Sequence, residues 1–169
     1  MRITFIIVAV TVGLGLAVWI IGSLLPVEHR VTSEATFTVP PDTLFSLIST
    51  PMKFPEWRKD VKAVELLPPS DGVERYREIS GDGTILYSVV RSIPGRERVI
   101  EIADPNLPFG GRWTFVVAPA SAGTTSLRIT EDGEVRNPIY RFVSRLVVGH
   151  RATIDRYLAD MKRHFEERK

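Results

Sequence analysis

Few side chains in this sequence could carry out chemistry, and one histidine is placed to do so. The chain has three histidines and no cysteine. His150 lies one helical turn after Leu146 and one before Ile154, so it falls on or beside an apolar stripe. A histidine in that position can orient a ligand or move a proton. It can also be a partly buried side chain bonded to a carbonyl or carboxylate, which is the commoner role and our expectation.

Glu131 is an acidic side chain that the sequence pattern places inward. It follows Leu127 and Ile129 in strand alternation, which predicts that it faces the interior. A buried carboxylate without a partner is costly. We therefore predict that Glu131 pairs with His150 or with an arginine. The hypothesis is wrong if the two side chains lie on opposite faces.

The common catalytic and cofactor motifs are absent from the sequence. It has no nucleophile elbow, zinc-protease motif, P-loop or dinucleotide-binding fingerprint. His29 and His164 stand apart from any cluster of metal-ligating residues, so we predict no metal site. No catalytic residue and no cofactor is therefore expected.

Large aromatic side chains could line a pocket, because most ligand sites are apolar with few polar groups. The same residues would suit a filled core, which is the commoner arrangement, although we expect at least two of them to reach a cavity wall. Arg75, Arg77 and Arg91 are expected to be exposed strand charges. The candidate ligand-binding residues are Trp57, Tyr76, Tyr87, Trp113, Phe115, Glu131, Phe142, Leu146 and His150.

One long helix is predicted over residues 137–165. Asn137 suits the N-cap and Pro138 the first helical position. Apolar residues then recur every three or four positions, which predicts a single continuous stripe that must be buried. The only partner large enough to bury it is a sheet. The stripe contains Ile139, Phe142, Val143, Leu146, Ile154, Tyr157, Leu158, Met161 and Phe165, with His150 among them.

The residues before this helix predict a sheet and a pair of short helices. Alternation from residue 29 to 39 predicts a first strand, and Pro-rich segments then place short helices before and after Pro51. Tight turns separate six further strand-like runs, which indicates an antiparallel meander. These runs cover residues 61–67, 73–79, 84–93, 96–102, 113–117 and 124–135.

An uncharged apolar segment at the N-terminus predicts a membrane anchor. Residues 3–25 carry no charge, and about 20 apolar residues cross a bilayer as a helix. A cleaved signal peptide has a shorter apolar core and a small-x-small cleavage site, which we do not find here. We predict an anchor over residues 1–27 and one folded domain over residues 28–169, close to the membrane surface because the linker is so short.

Charge gives weaker information. Arg2 precedes the apolar segment, whereas Glu28 and Arg30 after it nearly cancel, so the domain is expected on the extracytoplasmic side of a cell membrane. The C-terminal segment is mildly basic. It lacks the dense basic stripe with interleaved aromatic residues that is typical of nucleic-acid binding, so no nucleic-acid partner is predicted.

The order strand, helix pair, antiparallel strands and long helix resembles the helix-grip fold of the SRPBCC superfamily. That superfamily includes START lipid-transfer domains and polyketide cyclase-like proteins. The resemblance implies an α+β fold in which a curved antiparallel sheet wraps a long C-terminal helix over a cavity. It covers residues 28–165 and rests on VPPDTLF (39–45), FPEWR (54–58) and DPNLPFGGRW (104–113). The last of these, with EDGE (131–134) and the Asn137-Pro138 pair, resembles a membrane-anchored bacterial branch.

Three functions remain open on this basis. The resemblance implies a cavity for a lipid, sterol, polyketide or other apolar molecule, and the anchor would hold that cavity beside the bilayer. An enzyme of the cyclase or aromatase type would need a polar pair in the cavity within hydrogen-bond reach. An envelope interaction protein would show a filled core and a large exposed apolar patch.

Overall fold

The structure is a computed structural model that describes residues 2–81, 83–121 and 123–167. Five α-helices, seven strands, one 3₁₀ turn and one π-helical turn occur in that part of the chain. In order they are α1 (Arg2–Leu24), β1 (Glu28–Phe37), α2 (Pro41–Ser49), the 3₁₀ turn Pro51–Lys53, α3 (Phe54–Trp57), β2 (Val61–Ser70), β3 (Val73–Ser80), β4 (Gly83–Ile93), β5 (Glu97–Ile102), β6 (Phe109–Ser121), β7 (Thr124–Val135), α4 (Pro138–Val143), the π turn Ser144–Val148 and α5 (Ala152–Glu166).

The strands form one antiparallel sheet in the order β1-β7-β6-β5-β4-β3-β2. Each strand from β2 to β6 pairs with the next along the chain, which confirms the predicted meander. The first strand, β1, pairs antiparallel with the last, β7, and forms one edge of the sheet. Val31 lies opposite Glu131, and Phe37 lies opposite Thr125. The predicted α+β fold class is confirmed.

One face of the sheet is buried, and α2, α3 and α5 cover it. Strand alternation sets this face: Ala35 and Phe37 of β1 are buried, as are Leu127 and Ile129 of β7. The apolar side of α5 packs onto the same face, with Ile154 fully buried. The core therefore lies between the sheet and α5.

The predicted single helix over residues 137–165 is wrong in its middle. Asn137 caps α4 as expected, since its side-chain oxygen accepts the N–H of Ile139 at 2.9 Å. The helix then loosens into the π turn and stops at Gly149, whose φ of +82° lies outside any helix. The Gly149 N–H donates to the carbonyl of Ser144, five residues back. A new helix, α5, starts at Ala152.

The first half of the apolar stripe does not reach the sheet, because α4 packs against α1 instead. A Cβ on Gly22 would overlap the carbonyl of Pro138, so glycine is what permits the close approach. The Arg141 guanidinium donates to the carbonyl of Leu25 at 2.8 Å, just beyond the end of α1. The C-terminal end of α1 is thus held by the folded domain.

Helix α1 is long and apolar enough to cross a bilayer, with a mean hydropathy of 2.6 over its best window. Almost all of it is exposed. The hydroxyls of Thr11 and Ser23 donate to carbonyls one turn back, so they need no outside partner. Length and composition alone also fit a signal sequence.

Candidate functional site

A largely enclosed cavity of about 50 Å³ lies between the sheet and the start of α5. Its wall is mostly aromatic and contains one buried ion pair. Four of the sequence-predicted candidates, Tyr76, Tyr87, Trp113 and Phe115, contribute to it. The full lining is Ile48, Phe54, Arg58, Tyr76, Glu78, Tyr87, Ile100, Trp113, Phe115, Thr153 and Tyr157.

The short helix α3 positions the cation of the site. Pro55 lies in its first turn, where the missing N–H costs nothing. The helix ends at Arg58, which turns to an extended conformation while its N–H still donates to the carbonyl of Phe54 at 2.8 Å. As a result, the Arg58 guanidinium carbon lies over two aromatic rings, 5.5 Å from the centroid of Phe54 and 5.2 Å from that of Tyr157, which are cation–π distances.

Strand β3 supplies the anion. Tyr76 and Glu78 are two residues apart and therefore face the same side of the sheet, where both are buried. Arg58 forms a two-pronged bond with Glu78, with N–O distances of 2.7 and 3.0 Å, and a further bond of 3.0 Å to Asp60. The ion pair is thus fixed from both elements.

Burial governs the electrostatics of this pair. It raises the pKa of Glu78 above its ordinary value, although the neighbouring Arg58 charge and its hydrogen bonds oppose the shift. Taking two charges out of water usually costs more than their attraction returns. An ion pair in a cavity wall is therefore weak as a source of stability, and its position suits a role in ligand contact.

Tyr157 of α5 is the centre of the aromatic wall. Its ring centroid lies 5.5 Å from that of Phe115 and 6.0 Å from that of Trp113. Tyr76 and Tyr87 stack on each other at 5.3 Å. Burial raises the pKa of all three tyrosines well above the ordinary value. Their hydroxyls, which are protonated at neutral pH even at the ordinary value, can donate hydrogen bonds.

Five of the nine predicted ligand-binding residues lie outside this cavity, and three of them belong to other parts of the fold. Trp57 is buried beneath it, with its ring centroid 5.0 Å from that of Tyr157. Phe142 is half-buried in α4, and Leu146 in the π turn is exposed. The reason is the break at Gly149, which takes both residues away from the sheet.

Glu131 and His150 form a second cluster, together with a histidine for which the sequence indicated no role. Glu131 Oε1 lies 3.5 Å from His29 Nε2, and the rings of His29 and His150 stack with centroids 3.8 Å apart. The direct partner of Glu131 is therefore His29, and the predicted direct Glu131–His150 pair needs this correction. Glu131 and His150 do lie on the same side of the sheet, because both contact His29. A Cβ on Gly133 would overlap the His29 ring, so that glycine makes room for it.

The environment of His150 predicts a pH dependence of stability. Burial, His29 and Arg145 lower the pKa of His150 below 6.5, while Glu131 opposes the shift. The unfolded chain then binds a proton that the folded chain does not, so this group's contribution is complete above pH 6.5 and is lost as pH falls toward the lowered value. We expect His150→Gln to flatten the decline in Tm of the full chain in detergent below pH 6.5. Equal pH slopes for the variant and the wild type would contradict this.

Sequence reasoning missed the two charged residues of the cavity, Arg58 and Glu78. A signal for Glu78 existed, because it shares a strand face with Tyr76 by the same alternation that placed Glu131 inward. Arg58 had no comparable signal, since its direction depends on the turn at the end of α3. Of the three arginines predicted as exposed strand charges, Arg91 is exposed and pairs with Glu97, whereas Arg75 and Arg77 are only partly exposed and Arg77 pairs with Glu65.

A curved antiparallel sheet that closes around a C-terminal helix, with an apolar cavity between them, defines a helix-grip protein. The sequence model of the polyketide cyclase / dehydrase and lipid transport family matches residues 28–166. The chain belongs to that family, and hence to the SRPBCC superfamily.

Solved structures share the fold at low sequence identity. A START superfamily protein from Mycobacterium smegmatis is 16% identical, with a TM-score of 0.68 over 83% of this chain and 99% of that one. The Zhui aromatase/cyclase from Streptomyces sp. R1128 is also 16% identical, with a TM-score of 0.68 over 83% and 95%. A Thermus thermophilus protein is 17% identical, with a TM-score of 0.67 over 83% and 99%. No curated protein matches the sequence.

Proposed function

We propose that this protein binds a small apolar molecule with one polar group in the cavity between the sheet and α5, while α1 tethers it to a membrane. The observation that carries the proposal is the largely enclosed aromatic cavity with the Arg58–Glu78 pair in its wall. Family membership and the helix-grip relatives support a hydrophobic ligand.

The polar end of the ligand has a partner in Arg58. Its buried Nε has no hydrogen-bond partner within residues 2–81, 83–121 and 123–167, whereas both terminal nitrogens donate to carboxylates. A ligand carbonyl, hydroxyl or carboxylate could accept from this nitrogen. Specificity would then come from one polar contact in an apolar wall.

The cavity must open to take a ligand of ordinary size. Its volume of about 50 Å³ is far below the ~300–1,000 Å³ of pockets for drug-sized molecules. Thr153 both lines the cavity and is exposed, so the wall is thinnest where α5 begins, shortly after the break at Gly149. We propose that movement of the π turn and Gly149 opens this end, since π turns and glycines absorb such changes.

The anchor proposal is supported by contacts that a removable leader would not need. The domain residue Pro138 packs on Gly22, and Arg141 binds the Leu25 carbonyl. We expect the mature protein to keep residues 1–27: an N-terminal tag should remain on a carbonate-resistant membrane protein. Release of an untagged, shorter and soluble chain would contradict the anchor. The positive charge of Arg2 at the start of α1 favours a cytoplasmic N-terminus, and therefore an extracytoplasmic domain. Reporter fusions at the C-terminus would test this orientation.

Ligand retention tests the binding proposal. Full-length protein is purified in mild detergent, and the extracted small molecules are compared by mass spectrometry with those from a control in which residues 1–27 carry an unrelated soluble domain. The control removes lipids that bind only around the anchor. We expect an apolar species near one per chain in the full-length sample alone. Identical extracts from the two proteins would contradict the proposal.

An enzyme of the cyclase or aromatase type is the second candidate, favoured by the buried ion pair within hydrogen-bond distance in the cavity. Glu78 would take a proton from the carbon next to one ketone, and the electron pair of that C–H bond would form a C–C bond to the carbon of a second ketone as its C=O π pair moves to oxygen. Arg58 would stabilise this oxyanion, which then takes the proton back from Glu78 to give a β-hydroxy ketone. The test is product analysis with a β-polyketone. Turnover that Glu78→Gln does not change would contradict this role.

A further inference from the structure

The segment between Pro138 and Val148, which comprises α4 and the π turn, is exposed and apolar although it belongs to the folded domain. Val147 is 70% exposed and Leu146 57%. Single exposed apolar residues are common, but a contiguous patch marks an interaction surface. The exposed apolar residues of the segment are Ile139, Tyr140, Val143, Leu146, Val147 and Val148.

The position of the segment relative to α1 fixes its depth. The 23 residues of α1 span roughly 35 Å at 1.5 Å per residue, against about 30 Å of hydrocarbon. Gly22, in the last turn of α1, therefore lies near the boundary between acyl chains and headgroups once α1 crosses a bilayer. Pro138 touches Gly22, so the segment starts at that same boundary.

The charge of the segment fits the same location. Residues 137–154 contain three arginines and no Asp or Glu. Arg145 is exposed beside the apolar patch. Basic residues near a membrane surface attract anionic lipid headgroups, and Tyr140 is of the type enriched at the headgroup level.

We infer that α4 and the π turn form a second membrane-contacting element, lying along the bilayer surface with Leu146, Val147 and Val148 among the outer acyl carbons. The partner is the lipid surface into which α1 inserts, so the inference rests on the anchor proposed above. Since Gly149 and Thr153 follow closely along the chain, the end of the cavity where the wall is thinnest lies against the bilayer.

Single-cysteine labelling tests this surface, because the chain has no native cysteine. The full chain with Val147→Cys, Leu66→Cys or Val12→Cys carries a polarity-sensitive fluorophore in vesicles of mixed zwitterionic and anionic lipids, with or without nitroxide-bearing lipids. Leu66 is the matched control, an exposed apolar residue on β2 at the opposite edge of the sheet from β1. Val12 reports on the anchor itself.

We expect the nitroxide lipids to quench the label at position 147 and at position 12, and to leave the label at position 66 unchanged. Quenching at 12 without quenching at 147 would overturn the inference and leave the anchor intact. No quenching at either position would overturn both. A label at 147 that is shielded from water yet unquenched would mean that a protein partner or a second copy covers the patch, which also overturns the inference.

Discussion

Arg58→Met should destabilise the full chain by about 3–5 kcal/mol and lower its Tm by roughly 10 °C or more. The substitution leaves the Glu78 carboxylate in a buried position without its two-pronged partner. Asp60, which also accepts from Arg58, adds a second unmatched charge. The measurement is thermal unfolding in detergent, followed by circular dichroism.

The double variant Arg58→Met with Glu78→Leu separates stability from function. Replacing a buried ion pair by apolar side chains is often neutral or stabilising, so we expect most of the lost Tm to return while ligand retention does not. Arg77→Met is the matched control, because Arg77 lies next to Glu78 on β3 and its pair with Glu65 is largely exposed to solvent and worth about 0–1 kcal/mol. A double variant that is stable and retains ligand as the wild type does would contradict the assigned role of the pair.

Thr153→Trp should block ligand binding with little effect on folding. Thr153 lies where the cavity wall reaches the surface, so the indole can cover the opening without entering the core. We expect at least about a tenfold weaker affinity, equivalent to about 1.4 kcal/mol, in a titration with the ligand that the wild type retains. The Tm should change little, because the position is exposed.

Ala159→Trp provides the control for bulk on the same helix. Ala159 is exposed on α5 and is not part of the cavity wall. Its affinity should match that of the wild type. If both tryptophan variants weaken binding equally, or if neither does, access at the start of α5 is not what limits the ligand.

The sheet was predictable because its signals are local. Alternation in residues 29–39 and tight turns between the later strands are read directly from neighbouring residues, and both are confirmed by the pairing of β1 with β7 and by the meander. The alternation in the first strand corresponds to a buried face that contains Ser33, Ala35 and Phe37.

The helix break was not predictable from periodicity. Residues 138–143 keep helical spacing because α4 packs on α1, and residues 144–148 continue it as an exposed apolar turn, whereas residues 152–166 keep it because they pack on the sheet. Two stripes with different partners look like one in sequence. Gly149 was the local signal that the two stripes are separate, since glycine is unfavourable in the interior of a helix.

The site was predictable in its apolar part and not in its polar part. Tyr76, Tyr87 and Trp113 are large aromatic residues, which sequence alone nominates for a cavity wall, although whether they bind a ligand stays a prediction. The Arg58–Glu78 contact joins residues 20 positions apart and depends on a turn after α3 that no periodicity encodes. His29 was missed because its two partners are distant in sequence: Glu131 lies on β7, and His150 directly follows the helix break at Gly149.

Photo-crosslinking in the cavity is the most direct measurement of the central claim, that a small apolar molecule occupies the space between sheet and α5. Trp113 is replaced by p-benzoylphenylalanine, which has similar bulk, and Leu66 is replaced in the same way as an exposed control at the far edge of the sheet. After illumination in native membranes, intact-mass analysis should show one discrete small-molecule adduct at position 113 and none at position 66. No adduct at 113, or the same adducts at both positions, would contradict the claim.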